Sequence, residues 1–119
     1  MKTPNTLEES HTFLEKLLGD EDITFIDKMV DVQDMCKYHF TLGRKIRNDW
    51  GLWAGGPLKD YMNGLGFYHP DDISATILDT FWCKRHEKPF DLEIKAEYYK
   101  QYWENTQTEK NFTIRIPLK

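Results

Sequence analysis

The chain has 119 residues, enough for one hydrophobic core and not for two. With 39% hydrophobic and 30% charged residues it falls among globular chains, and no apolar run nears the ~20 residues of a membrane helix. A net charge of −4 disfavours non-specific nucleic-acid binding, which needs a positive field, and suits a basic protein partner.

The N-terminal MKTPNTLEES lacks the apolar core of a signal peptide, so a cytoplasmic protein is expected. Thr6 with Glu9 forms a capping box that predicts a helix from about Leu7. Phe13, Leu14, Leu17 and Leu18 give it an apolar face, and Gly19 stops it. A short helix follows, with Asp22 as its cap and Ile23, Ile26 and Met29 turned inward.

Asp31 caps the strongest helical pattern of the chain. Val32, Met35, Cys36, His39, Leu42, Gly43 and Ile46 recur at helical spacing, so one helix is expected to run to Asn48 or Asp49. Gly43 falls inside it, where glycine costs about 1 kcal/mol relative to alanine. Close approach of another element accounts for that choice. Trp50 to Gly56 is a glycine-rich loop.

Pro57 suits the first turn of a short helix with Leu58, Tyr61 and Met62 packing and Gly64 at its end. Pro70 opens another helix, with Asp71 and Asp72 in the first turn, where acids complement the positive helix end. Ile73, Ile77, Leu78 and Phe81 form its inner face. Pro89 and Asp91 mark a break and a new cap. The last helix carries Leu92, Ala96, Tyr99, Tyr102 and Trp103 on one side. After Asn105 the pattern changes. Phe112, Ile114, Ile116 and Leu118 alternate with polar residues and Pro117, so residues 106–119 are expected as an extended, strand-like tail. Such a tail has two uses: pairing with a second copy or a partner protein, or folding back over the domain's own helices.

The chemistry-bearing residues concentrate between His39 and Asp72. His69-Pro70-Asp71-Asp72 places a histidine beside two carboxylates, a set that serves metal binding or acid–base chemistry. The plainer reading is that His69 caps the helix and the aspartates serve its dipole. Adjacent helical residues point about 100° apart, so two neighbouring acids rarely reach one ion. Arg44, Arg47 and Asn48, followed by Trp50 and Trp53, form the second candidate. Arginines three apart share a helix face, and with tryptophans they grip a carboxylate, a phosphate or a protein partner. The structural alternative is that Arg47 bonds the carbonyls of the following loop. His39 reads as a buried core histidine, His11 and His86 as surface residues.

Cys36 and Cys83 lack metal-ligand spacing and read as buried, reduced thiols. No nucleophile elbow and no phosphate loop is present, so neither a cofactor nor a metal is expected.

The blocks HFTLGRKIRNDWGLW and HPDDIS, in this order, resemble a small bacterial family of unknown function with the pattern HFxLGxxIRNxxGLW…HPDDxS. The resemblance spans about residues 30–85. It implies a helical domain of bacterial or phage origin and carries no activity.

The expected architecture is all-α: five or six helices in a single domain over residues 1–105, with the tail appended. The expected function is a non-enzymatic protein-binding factor, immunity-like, regulatory or anti-defence. Its candidate binding residues are Arg44, Arg47, Asn48, Trp50, Trp53, His69, Asp71 and Asp72. The alternative is a small hydrolase or transferase built on the HPDD segment.

Overall fold

A computed structural model describes the backbone of residues 3–115 and the side chains of residues 3–105. The elements are α1 (Leu7–Leu17), α2 (Asp20–Lys28), a 3-10 helix (Val32–Tyr38), α3 (Leu42–Asp49), α4 (Pro57–Gly64), α5 (Pro70–Arg85) and α6 (Leu92–Arg115). The all-α class is as expected, and no strand occurs among the described residues.

The organising element is α5. Ten of its sixteen residues are buried, including Thr76 and Thr80 on faces that an amphipathic helix would leave to water. The cause is its position: α1, α2, the 3-10 helix, α3 and α4 all pack against it. Ile73, Ile77 and Phe81 are fully buried there, with Phe67 and Met62 from the preceding segment. Each such side chain contributes roughly 1.5–3 kcal/mol by leaving water.

Thr6, Asp31 and His69 cap helices as the sequence calls for, and three details at α1 and α2 differ. Thr6 accepts from the Glu9 N–H, but the Glu9 carboxylate turns to the Asn5 N–H and not to that of Thr6. α1 ends by turning extended at Leu18 rather than on a left-handed glycine; Gly19 instead precedes α2, which begins at Asp20, two residues before the expected cap. At the far end of α5, Arg85 forks onto Asp27 at 2.6 and 2.9 Å and so ties α2 down. That guanidinium holds the Asp27 carboxyl below its usual range.

Four expectations need correction. The single helix from Asp31 to Asp49 is two elements. A 3-10 segment runs to Tyr38, the chain bends through His39–Thr41, and α3 starts at Leu42. The apolar spacing is continuous across the bend, so periodicity alone gave no sign of it. The bend exposes Phe40 to 71% and brings the His39 carbonyl toward Arg47, which donates to it.

Cys36, in the 3-10 segment, is exposed; Cys83 is buried as expected. His11 is buried, not superficial. Its Nε2 lies 2.8 Å from the Thr80 hydroxyl, and that hydroxyl already gives its proton to the Thr76 carbonyl. The ring therefore donates from Nε2–H, as a neutral imidazole. Burial, with Lys84 nearby, lowers its pKa to about 4.

The last helix continues to Arg115, so residues 106–115 are helical backbone and not an extended tail. A lone strand leaves its N–H and C=O groups unpaired, whereas a continued helix pairs them internally. Residues 116–119, the rest of the expected strand, lie outside the described residues. With the strand goes the pairing mode that rested on it.

Candidate functional site

The HPDD segment is the N-terminus of α5, and its polar atoms are engaged in building it. His69 caps the helix: its Nδ1 accepts the Asp71 N–H at 3.0 Å. Pro70 occupies the first turn, where a missing N–H costs nothing. Asp71 points to Arg47, with Nε to Oδ1 at 3.3 Å. Asp72 points the other way and accepts the indole N–H of Trp103 at 2.7 Å. Burial pushes the Asp72 carboxyl up, an effect the Trp103 N–H and His69 partly offset. The two aspartates thus diverge, as adjacent helical residues must. Among the described residues no group of three or more His, Cys, Asp or Glu is placed to hold a metal ion.

Arg47 is a buried residue, 7% exposed. Its guanidinium donates to Ser74 Oγ at 2.8 Å and to the His39 carbonyl at 3.3 Å, besides the contact with Asp71. It joins the bend before α3 to the first turns of α5. The loop that follows α3 is held by a different group: the Leu52 N–H donates to the Arg47 carbonyl. Gly43 makes room for this arrangement. A Cβ there would lie 3.1 Å from an Arg47 nitrogen and 3.8 Å from Leu78 on α5. The close approach expected at Gly43 is therefore both to α5 and to the arginine.

The remaining candidates separate. Arg44 and Asn48 are exposed on α3, so Arg44 does not share the buried face of Arg47. The two side chains three positions apart straddle the edge of the core. Trp50 is half-buried and meets Phe13 edge-on at 6.1 Å. Trp53 is 58% exposed and meets the His69 ring edge-on at 6.0 Å. The structure therefore makes two groups of the expected site: buried Arg47 with the half-exposed Asp71 that it contacts, and Trp53, His69 and Asp72 on the side of Trp103.

Trp103 joins the second group. Its ring stacks on His69, centroids 5.0 Å apart and planes 19° from parallel. Sequence reading put Trp103 on the apolar side of the last helix without a target. The available signal was the tryptophan itself, since a buried or half-buried indole N–H needs an acceptor and Asp72 is one. Ser74 was likewise legible only as part of HPDDIS, not as the partner of Arg47.

Beside this stack lies a cleft of about 780 Å³ between α6 and the α4–α5 loop. Leu65, Pro70 and Ala96 line its apolar part, Tyr68 and Trp103 its aromatic part. The loop comes very close to α6. Gly66 has φ +102°, and a Cβ on it would sit 2.9 Å from that of Ala96. Lys59 donates to the Tyr68 carbonyl at 3.0 Å and steadies the loop. A second cleft of about 630 Å³, between the 3-10 helix, α5 and α6, shares Asp72 and Trp103 with the first. It contains Asp79, which burial raises to about 6 against the opposing pull of Lys95. Tyr99, half-buried beside Asp72 and Asp79, is raised too, by burial first and then by those carboxylates.

A family model described as a domain of unknown function (DUF6794) matches residues 3–85. The chain belongs to this family, and the matched segment closes at the last residue of α5. No curated protein and no solved structure matches the chain. No helix among the described residues is long and apolar enough to cross a membrane.

Proposed function

We propose that this domain is a non-enzymatic factor that docks on another protein through the aromatic surface around the start of α5 and the middle of α6. One observation carries the reading. The polar atoms of the HPDD segment are engaged in capping α5 and in bonding Arg47 and Trp103, while large aromatic side chains beside them stand in water. Trp53, Tyr68, Tyr98, Tyr102 and Trp103 are between 42% and 66% exposed. Aromatic groups held rigidly at a surface are the common anchors of protein interfaces. Trp103 is held by Asp72 and His69, and Tyr68 sits in a loop pinned by Lys59.

Arg47 leaves the list of contact residues because it is buried, and Asp71 because its carboxylate is turned to Arg47. Trp53, His69 and Asp72 stay on it. Arg44, Asn48 and Trp50 lie away from this surface. A bacterial or phage origin and an immunity-like, regulatory or anti-defence role fit a small acidic domain of this kind.

The test is affinity capture from the source cells with wild type and with Tyr68→Ala and Trp53→Ala variants that melt normally. A partner retained by wild type and lost by either variant supports the reading. Equal capture by all three overturns it. A gene for a toxin or a defence effector beside this one would support the immunity-like role.

A further inference from the structure

We propose that the cleft between α6 and the α4–α5 loop receives a short basic segment of the partner, with an arginine or lysine side chain laid on the rings of Tyr68 and Trp103. The inference rests on the protein-binding reading and adds the chemistry of what is bound.

Charge decides the sign of the occupant. Among the described residues the cleft is lined by four acids, Asp72, Glu93, Glu97 and Glu104, and one lysine, Lys100, while Lys59 is bound to the Tyr68 carbonyl and Lys95 lies near Asp72. The chain as a whole is acidic, at −4. An acidic segment is repelled there, and a second copy of this chain brings more of the same sign. A cation is attracted by the carboxylates and by the ring faces together.

Shape decides its class. Tyr68 is 66% and Trp103 42% exposed, so ring surface is open beside the carboxylates. Leu65, Pro70 and Ala96 supply an apolar floor suited to the methylene stem of arginine or lysine. A lone metal ion or a small amine would leave that floor wet. Along α6 the lining runs from Glu93 to Glu104, about 16 Å at the helical rise. That length matches about five residues of extended chain. A volume of about 780 Å³ is that of a site for a peptide segment rather than for an ion.

Asp72 and Glu97 keep acceptor capacity for the ligand. Asp72 takes one bond from Trp103 and Glu97 one from Gln101, and a carboxylate has about four acceptor sites. The rigid parts of the cleft are already in place. Gly66 holds the loop against α6, and the His69 stack fixes the Trp103 ring.

The experiment is a titration of the intact chain with two capped pentapeptides, one alternating arginine with alanine, the other glutamate with alanine. Binding is followed by calorimetry and by the indole N–H resonance of Trp103, assigned from Trp103→Phe. The arginine peptide is expected to bind, to move that resonance and to weaken with added salt, while the glutamate peptide does neither. Glu93→Gln with Glu97→Gln, both exposed positions, should weaken the arginine peptide about three- to tenfold. Lys100→Glu should strengthen it by about threefold. Equal response to the two peptides overturns the inference. So does unchanged affinity in the Glu93→Gln, Glu97→Gln variant, or a Trp103 resonance that moves with protein dilution and marks a second copy in the cleft. If a captured partner depends on Tyr68 but is not displaced by the arginine peptide, the basic occupant is wrong and the protein-binding reading survives. If no partner depends on this surface, the broader reading falls with it.

Discussion

Replacing Arg47 with alanine should destabilise the domain by about 3 kcal/mol. The figure follows from three contacts of unequal weight. The bonds to Ser74 Oγ and to the His39 carbonyl are donated by a charged group inside the core. Such bonds are worth about 1.5 kcal/mol each, and their loss leaves the His39 carbonyl without this donor. The contact with Asp71 adds little, because that carboxylate is 47% exposed and water takes the place of the guanidinium. Removing the buried stem adds a small cavity cost, which the relief of burying a charge offsets in part. For a chain of this length about 3 kcal/mol lowers the melting temperature by about 12 °C.

Urea titration followed by tryptophan emission measures the effect directly, with a shifted midpoint and an unchanged slope. Arg47→Lys should recover less than half of the loss, since one ammonium cannot reach Ser74, His39 and Asp71 in the geometry of a planar fork. Gly43→Ala adds a second check. Its Cβ would crowd an Arg47 nitrogen at 3.1 Å, so it should be better tolerated in the Arg47→Ala background than in wild type. A change below about 0.5 kcal/mol in Arg47→Ala would refute the account and return the arginine to the set of contact residues.

His69→Ala removes the ring cap of α5 and should cost about 1 kcal/mol by thermal melting; stoichiometric zinc or manganese lost in that variant would instead favour the hydrolase reading. Gly66→Ala forces a Cβ to 2.9 Å from Ala96 at a φ of +102° and should cost about 1–3 kcal/mol, while weakening any ligand of the α6 cleft. His11 has a folded pKa lowered to about 4 by burial and then by Lys84, so its contribution is complete above the unfolded value of 6.5 and disappears as the pH falls through 4. At 6% exposure this amounts to roughly 3 kcal/mol, and His11→Gln should flatten that part of the stability–pH curve. Asp79 works in the opposite sense: raised to about 6 by burial, it favours its neutral form in the fold and costs stability as the pH rises from 3.8 through 6, so Asp79→Asn should gain about 1–2 kcal/mol at neutral pH and nothing at pH 3.

Local rules written in a few adjacent residues were legible in the sequence. Thr6, Asp31, Pro57 and Pro70 mark true helix starts, and His69 caps α5 as its position before proline suggests. What escaped reading depends on distant partners. The bend at His39–Thr41 interrupts no apolar period; a guanidinium from α3 bonds the carbonyl it turns inward. His11 is polar and four residues into a helix, which places it at a surface on propensity alone. It is buried because Thr80, sixty-nine positions away, offers an acceptor. Arg44 and Arg47 differ for the same reason: only one has Ser74 and Asp71 opposite it. The alternation at the C-terminal end was a true pattern with the wrong consequence, since helix continuation from Asn105 pairs the backbone without a neighbouring strand.

The two halves of the expected site are coupled through α5. Asp71 faces Arg47, Asp72 faces Trp103, and both are placed by the same capped turn. The burial of Arg47 and the placement of Trp103 therefore have one structural origin. A substitution that loosens the first turn of α5 should reach the aromatic stack without touching it, because the acceptor of the Trp103 N–H moves with that turn. Sequence reading merged the two groups because it saw HPDD as one chemical cluster. The helix divides it: consecutive acids about 100° apart serve opposite sides of the element that carries them. The matched family segment ends where α5 ends, and the Trp103 side of this arrangement comes from α6, beyond it. The Arg47 half can thus be a property of the family fold while the Trp103 half is supplied by the helix that follows.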